Sequence, residues 1–344
     1  MSAALSTGQH AQLAGASCVV TGGAGFIGRH LVERLLACGA RRVRVLDRAA
    51  AIAAWEPGTG GARMPELLAV DLVEARELAP LLRGCDVLFH LAAEKHARAR
   101  LDPELALQVN VLATERLLRA AVVSGVGKVV FSSSLFAHGG VGALAAPGAA
   151  LAERDPPAPD TVYGISKLAG EQLLRCHARE HGLCATALRL FFIYGPRQDP
   201  GPRGPSLIVK SCERILRGEP PLIFGDGRQA LDYLYVGDAV DALLCAARRE
   251  VDGELFHIGS GRAVSVAALV STLLALAGSA LLPEHAPADE TAGSSRVAEI
   301  AHARERLHWQ PSTSLEHGLR LTLEWVRAQN DRERLAAPQA AAGS

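Results

Sequence analysis

Tyr163 and Lys167 stand four residues apart in the stretch Tyr-Gly-Ile-Ser-Lys, and a phenol so paired with an ammonium can move a proton. On a helix, residues i and i+4 share a face, so the two side chains meet. A neighbouring cation stabilises the phenolate and lowers a pKa that is ordinarily about 10. The chemistry this suggests is acid/base work on an alcohol or a ketone. The pair is a short motif, and its meaning depends on a second one far upstream.

That second motif opens with the apolar run Ala16-Ser-Cys-Val-Val-Thr21, fit for a buried parallel strand. It leads directly into Gly22-Gly23-Ala24-Gly25-Phe26-Ile27-Gly28, after which Ile27, Leu31, Val32, Leu35 and Leu36 recur at helical spacing and Gly39 offers a C-cap. Strand, glycine turn and helix in this order form a dinucleotide-binding fingerprint. The glycines permit a tight turn and close approach of backbone to a pyrophosphate, which then lies at the positive end of the helix. A second strand, Arg42-Val-Arg-Val-Leu-Asp47, ends in an acid placed to accept hydrogen bonds from the adenosine ribose. A carboxylate there repels a 2′-phosphate, so NAD is expected over NADP, with the adjacent Arg48 as the residue that could reverse the preference.

These groups need a scaffold. Strand-like and helix-like runs alternate through the first half, including a helical pattern from Leu105 to Val123 and the strand Lys128-Val-Val-Phe-Ser-Ser-Ser134. Such alternation predicts an α/β fold, a doubly wound parallel sheet of the Rossmann type with helices on both faces. Residues 139–160 are rich in Gly, Ala and Pro and read as a loop that delivers the tyrosine helix, with Asp160 as its N-cap. From about Phe191 the elements shorten, as in a smaller C-terminal substrate-binding lobe.

With both motifs in hand the chain resembles the extended short-chain dehydrogenase/reductases, specifically the NAD-dependent sugar epimerases and dehydratases, over nearly all of Ala16 to Trp325. Thr21-Gly-Gly-Ala-Gly-Phe-Ile-Gly28 is similar to that family's cofactor motif, Asp71-Leu72 to its adenine-contacting pair, and His90-Leu-Ala-Ala93 to its cofactor-bordering strand end. Asn110-Val-Leu-Ala-Thr114 and Phe131-Ser-Ser-Ser134 resemble its helix motif and catalytic serine strand. Arg189-Leu-Phe-Phe-Ile-Tyr-Gly-Pro-Arg197, Gly225-Asp-Gly227, Asp232-Tyr-Leu-Tyr-Val236 and Ser314-Leu-Glu-His-Gly-Leu319 carry the likeness onward. The resemblance implies an NAD-binding domain over 16–190, re-entered around 232–258. It implies an interleaved substrate lobe over 191–231 and 259–328, with tails at 1–15 and 330–344. It also implies a homodimer formed through helices at about 104–123 and 163–179.

Residue by residue, the implied NAD contacts are Gly22, Gly25, Phe26, Ile27, Gly28, Asp47, Asp71, Leu72, Leu91, Ala92, Ala93, Asn110 and Ser132, together with Tyr163 and Lys167. Ser134 would hold the reacting oxygen, Tyr163 would act as base and acid, and Lys167 would also hold the nicotinamide ribose. Substrate candidates are Lys95, Ser134, Phe192, Arg197 and Leu231. His96 could reach a reacting group, and His138, where the family often has tyrosine, reads as a polar loop residue.

The departures narrow the substrate. Leu135-Phe136 stands where 4,6-dehydratases carry Asp-Glu, so water elimination lacks its acid and base. Phe192 and Leu231 replace an asparagine and an arginine that usually grip a nucleotide diphosphate, and 289–293 lacks a further arginine. Losing such an arginine forfeits charge-assisted, bidentate hydrogen bonds. Arg197, Arg203 and Lys210 are the remaining candidates for the phosphates. The expectation is a 4-epimerase acting on a nucleotide sugar. The alternatives are a 3β-hydroxysteroid-dehydrogenase-like alcohol dehydrogenase or ketoreductase and a catalytically silent NAD-sensing protein.

Composition fits this reading. Lys plus Arg and Asp plus Glu each number 36, so no basic surplus points to nucleic acid. Seven scattered cysteines contain no Cys-x-x-Cys pair, which suggests free thiols and a reducing, cytoplasmic setting. No metal-ligand spacing occurs. The apolar stretch from Val264 to Leu282 is broken by Ser265, Ser271, Thr272, Gly278 and Ser279, so it reads as a buried helix from about 265 to 277 rather than a membrane span.

Overall fold

The computed structural model describes residues 13–56, 63–139, 150–198, 206–289 and 293–336. Arg203 and residues 140–149 of the loop read over 139–160 fall outside these. Seven parallel strands form the central sheet. Their spatial order is Leu255–Ile258, Ala185–Leu190, Lys128–Ser134, Val87–His90, Ser17–Thr21, Arg42–Asp47 and Glu66–Ala69. The first strand therefore lies between the second and fourth, with Thr21 level with Leu46 on one side and His90 on the other. A sheet whose order reverses at such a point opens a crevice beyond the carboxyl ends of its strands.

Burial explains the strand sequences. Lys128–Ser134 is buried along its whole length, including its three serines, because helices cover both faces. On one face helix Phe26–Ala37 turns Leu31, Val32 and Leu35 into a core shared with helix Val236–Cys245. Complete burial of one such leucine is worth about 1.5–3 kcal/mol. On the other face lie helices Ala113–Val123 and Val162–His181. The predicted helix from Leu105 is interrupted. It runs as Pro103–Leu107, a widened π-turn over Gln108–Leu112, and then Ala113–Val123.

Beyond the sheet, helices Leu207–Leu216, Val266–Ala277 and Leu315–Ala336 pack with one another around a further apolar core. Ser265 caps the second of these, Gly278 ends it in the left-handed conformation, and its buried side is Val266, Leu269, Val270, Leu273 and Leu274. No described helix is long and apolar enough to cross a membrane. The last helix continues past Gln329, where the sequence reading ends the folded chain. Strand Tyr233–Tyr235 pairs with Phe192–Tyr194 outside the main sheet, and only Leu255–Ile258 of the 232–258 segment joins it as a strand.

Candidate active site

The glycine turn is closed so tightly that side chains cannot enter it. A Cβ on Gly28 would lie 2.2 Å from the carbonyl oxygen of Gly22 and 2.6 Å from Cα of Gly23. Gly25 caps helix Phe26–Ala37 without a side-chain hydrogen bond, and no acid occupies the first turn. The first-turn N–H groups are thus left for a ligand's oxygens, at the positive end of the helix dipole. Asp47 braces the turn, its Oδ2 accepting from the Ala24 N–H at 3.0 Å and its Oδ1 from Arg48 N–H at 2.8 Å. Arg48 is drawn toward Glu94, 3.2 Å away. These features fit a dinucleotide that carries a free 2′-hydroxyl. Asp47→Ala is expected to weaken NADH binding and to reduce its preference over NADPH by about tenfold, as for one lost hydrogen bond to a charged acceptor. Fluorescence titration of both cofactors measures the ratio, and a wild type that prefers NADPH would assign the choice to Arg48.

The reacting groups meet at the neighbouring strand end. Thr161, not Asp160, caps the tyrosine helix, its hydroxyl accepting from the Gly164 N–H at 3.0 Å. That cap is worth about 1 kcal/mol and fixes the turn on which Tyr163 lies. Gly164 allows the helix to seat closely, since a Cβ there would fall 2.2 Å from the Phe136 carbonyl oxygen. Ser134, at the end of its strand, is near enough to the Tyr163 hydroxyl to act on it and accepts from Phe136 N–H at 3.3 Å. The Tyr163 ring meets Phe136 edge-on at 5.6 Å and His96 at 6.2 Å, and His96 stacks on Phe136.

Electrostatically the pair differs from the expectation. Although the Tyr163 side chain as a whole is only half-buried, desolvation raises its pKa above the ordinary value, and the Ser134 hydrogen bond opposes that rise. Lys167 is 3 % exposed, and its Nζ lies 4.8 Å from the centroid of the Phe131 ring. Burial lowers its pKa to about 8, with Glu171 pulling the other way. In the protein alone, therefore, Lys167 does not bring Tyr163 below its ordinary pKa, because the environment that holds both groups penalises both charged forms.

Several candidates serve the scaffold in this structure. Asn110 is buried, and its amide bridges the Glu94 backbone (2.8 and 2.9 Å) to Ser166 Oγ (3.0 Å), tying the cofactor-bordering strand end to the tyrosine helix. The hydroxyl of Ser132 donates to the His90 carbonyl at 3.2 Å. Asp71 Oδ1 accepts from Val73 N–H at 2.8 Å, and Leu72 is buried. Leu91, Ala92 and Ala93 follow the Val87–His90 strand and are half-buried, with Leu91 and Ala92 beside Gly22. Arg197 is ion-paired with Glu33 at 2.6 Å, while Lys95 and Lys210 are exposed. Phe192 is half-buried against Tyr233, and Leu231 lies in the core of the second lobe.

One set of residues was not visible as a set in the sequence. Glu171 is gripped by Arg189 through two bonds of 2.8 Å and accepts from Ser133 Oγ. His138, read as a loop residue, is 5 % exposed and lies 2.7 Å from Arg189 Nη1 and 2.8 Å from His257 Nε2. The cue available was the spacing of Glu171, four residues beyond Lys167 on the same helix face.

A family profile described as the NAD dependent epimerase/dehydratase family matches residues 18–259. The UDP-glucose 4-epimerase of Mycolicibacterium smegmatis is 35% identical over 314 residues, covering 90% of this chain and 98% of that protein. Among solved structures, the UDP-glucose 4-epimerase of Thermotoga maritima with UDP-glucose superposes with a TM-score of 0.82 at 33% identity, covering 91% of this chain and 99% of that one. MoeE5 in complex with UDP-glucuronic acid and NAD gives 0.79 at 36% identity, with the same coverage.

Proposed function

The chain belongs to the NAD-dependent epimerase/dehydratase family, and we propose that within it this protein is a nucleotide-sugar 4-epimerase acting on a UDP-linked hexose or hexuronic acid. It is an NAD-dependent enzyme. The observation that carries the proposal is the meeting of Tyr163, Ser134 and Phe136 at the strand end, where Ser134 acts on the phenol and the Phe136 ring lies edge-on to it at 5.6 Å. One acid/base pair is present, while the neighbouring position needed for elimination is an apolar ring. The UDP-sugar ligands and activities of the similar proteins support the substrate class, and they do not favour the steroid-like alternative. Phe192 and Leu231 then signify a diphosphate held without the usual asparagine and arginine.

In this reading Ser134 orients the C4 oxygen and Tyr163 takes its proton, then returns a proton to the same oxygen after the ketose has turned. NAD, when bound, supplies the hydride acceptor and a positive charge that favours the phenolate. Tyr163 is returned to its starting state within each turnover, so one acid/base group suffices. The test is incubation of the NAD-loaded protein with a panel of UDP- and dTDP-linked hexoses and hexuronic acids, resolving C4 epimers by anion exchange. Epimer formation from a UDP sugar is expected. Stoichiometric NADH without an epimer would replace the proposal with the dehydrogenase reading.

The protein is further proposed to act as a homodimer in the cytoplasm. Leu101, Leu107, Leu112, Val123 and Ile165 are exposed large apolar side chains on the helical layer that carries the tyrosine helix, with Val123 at 74% and Leu101 at 65%. Apolar groups clustered on one layer are a signature of protein contact. Leu112→Glu with Val123→Glu is expected to give a monomer in sedimentation velocity at micromolar concentration. An unchanged dimer would place the interface elsewhere, and a monomeric wild type would remove it.

A further inference from the structure

Tyr163, Lys167 and Glu171 are spaced i, i+4 and i+8, so on a helix of 3.6 residues per turn they lie along one stripe facing the Lys128–Ser134 strand. Lys167 and Glu171 are 3% and 2% exposed, and Arg189 is 2% exposed. A buried ammonium needs a compensating charge, and a buried carboxylate needs its oxygens occupied. Arg189 Nε and Nη2 each reach one oxygen of Glu171 at 2.8 Å, and Ser133 adds a third donor from the strand that ends in Ser134. The carboxylate is thereby fixed, with Arg189 on one side and the Lys167 position one helical turn away on the other.

Resting on the reading of Tyr163 and Lys167 as the reacting pair, we propose that Glu171 is a positioning residue: its anchored carboxylate keeps Lys167 charged and in place, and it locks the serine strand to the tyrosine helix. Among the described residues, the following groups lie about Lys167. Phe131 lies under its Nζ on the strand. His90, on the next strand, is held neutral by burial and by Lys167 itself, its pKa lowered to about 3. Tyr163 precedes it on the helix. Arg189 stands behind Glu171, with His138 and His257 beyond it in turn. Glu171 is the one carboxylate acting on Lys167 among these, and it opposes the fall caused by burial.

The sequence contains four lysines, at positions 95, 128, 167 and 210, so lysine labelled with ¹³C at Cε gives four resolvable titrations by NMR. Lys167 is assigned by the signal lost in Lys167→Arg. The expected midpoint for Lys167 in the wild type lies well below the ordinary lysine value. Glu171→Gln, which removes the charge and keeps the shape, is expected to lower it by about one pH unit or more, the size of a near charge in a partly screened interior. Ser133→Ala, which removes a hydrogen bond and leaves the charge, is expected to leave the midpoint in place. Where Glu171→Gln does not fold, Glu171→Asp draws the charge back by one methylene and is expected to lower the midpoint by a smaller step. A Lys167 midpoint that stays put when the Glu171 charge is removed or withdrawn overturns the proposal, as does an equal shift in Ser133→Ala. The titration needs neither substrate nor turnover, so its failure and the failure of the epimerase reading are separate results.

Discussion

Tyr163→Phe is expected to lower kcat by about 10²–10⁴-fold, the contribution of one positioned acid/base group, while NADH affinity stays within about threefold of wild type. The substitution removes the hydroxyl that Ser134 contacts and retains the ring that meets Phe136 and His96. Packing and the cofactor crevice are therefore preserved, and the loss falls on the proton-transfer step. Steady-state assay with a C4-epimerising substrate, combined with NADH titration, separates the two quantities. A variant that keeps more than about a tenth of wild-type turnover would mean that another group, such as His96, moves the proton.

Gly28→Ala is expected to weaken NADH binding by at least about 100-fold and to abolish turnover with it. The added methyl would lie 2.2 Å from the Gly22 carbonyl oxygen and within 2.8 Å of two Gly23 atoms, all of them backbone. No rotamer change relieves a clash with backbone, so helix Phe26–Ala37 must withdraw from the first strand, and the phosphate-binding N–H groups withdraw with it. Fluorescence titration of NADH and a thermal melt measure the effect. Binding within about threefold of wild type would show that the turn opens without cost and that the phosphates are held elsewhere.

Local chemistry was legible in the sequence. The glycine turn is legible because a strand, four glycines and an apolar helix face are contiguous, and the parallel sheet because its strands are short apolar runs between amphipathic helices. Tyr163 and Lys167 are visible because their spacing is a helical period. What escaped the sequence depends on contacts between distant segments. Glu171, Arg189, His138 and His257 come from a helix, two strands and a turn, and only the fold brings them within hydrogen-bond distance. Asn110, which the resemblance places at the cofactor, bonds through its amide to the Glu94 backbone and Ser166, contacts that only the fold reveals. Leu231 reads as a pocket residue from what it replaces, whereas its side chain is 7% exposed and shared with the second lobe's core. Burial likewise raises the Tyr163 pKa where spacing alone predicts a fall. Spacing reveals a neighbouring cation, but burial, which acts on both partners, is a property of the whole fold.

The central claim is that Tyr163 and Ser134 serve a transient oxidation at C4 of a nucleotide sugar, with the hydrogen returned to the carbon it left. It is tested most directly with UDP-glucose bearing deuterium at C4, incubated with NAD-loaded protein in ordinary water until the epimers equilibrate. The predicted result is UDP-galactose that retains deuterium at C4, with no net accumulation of reduced cofactor, and formation of that product slowed by about 10²–10⁴-fold in Tyr163→Phe. Loss of the label to solvent, or a ketose released with one equivalent of NADH, would contradict the account.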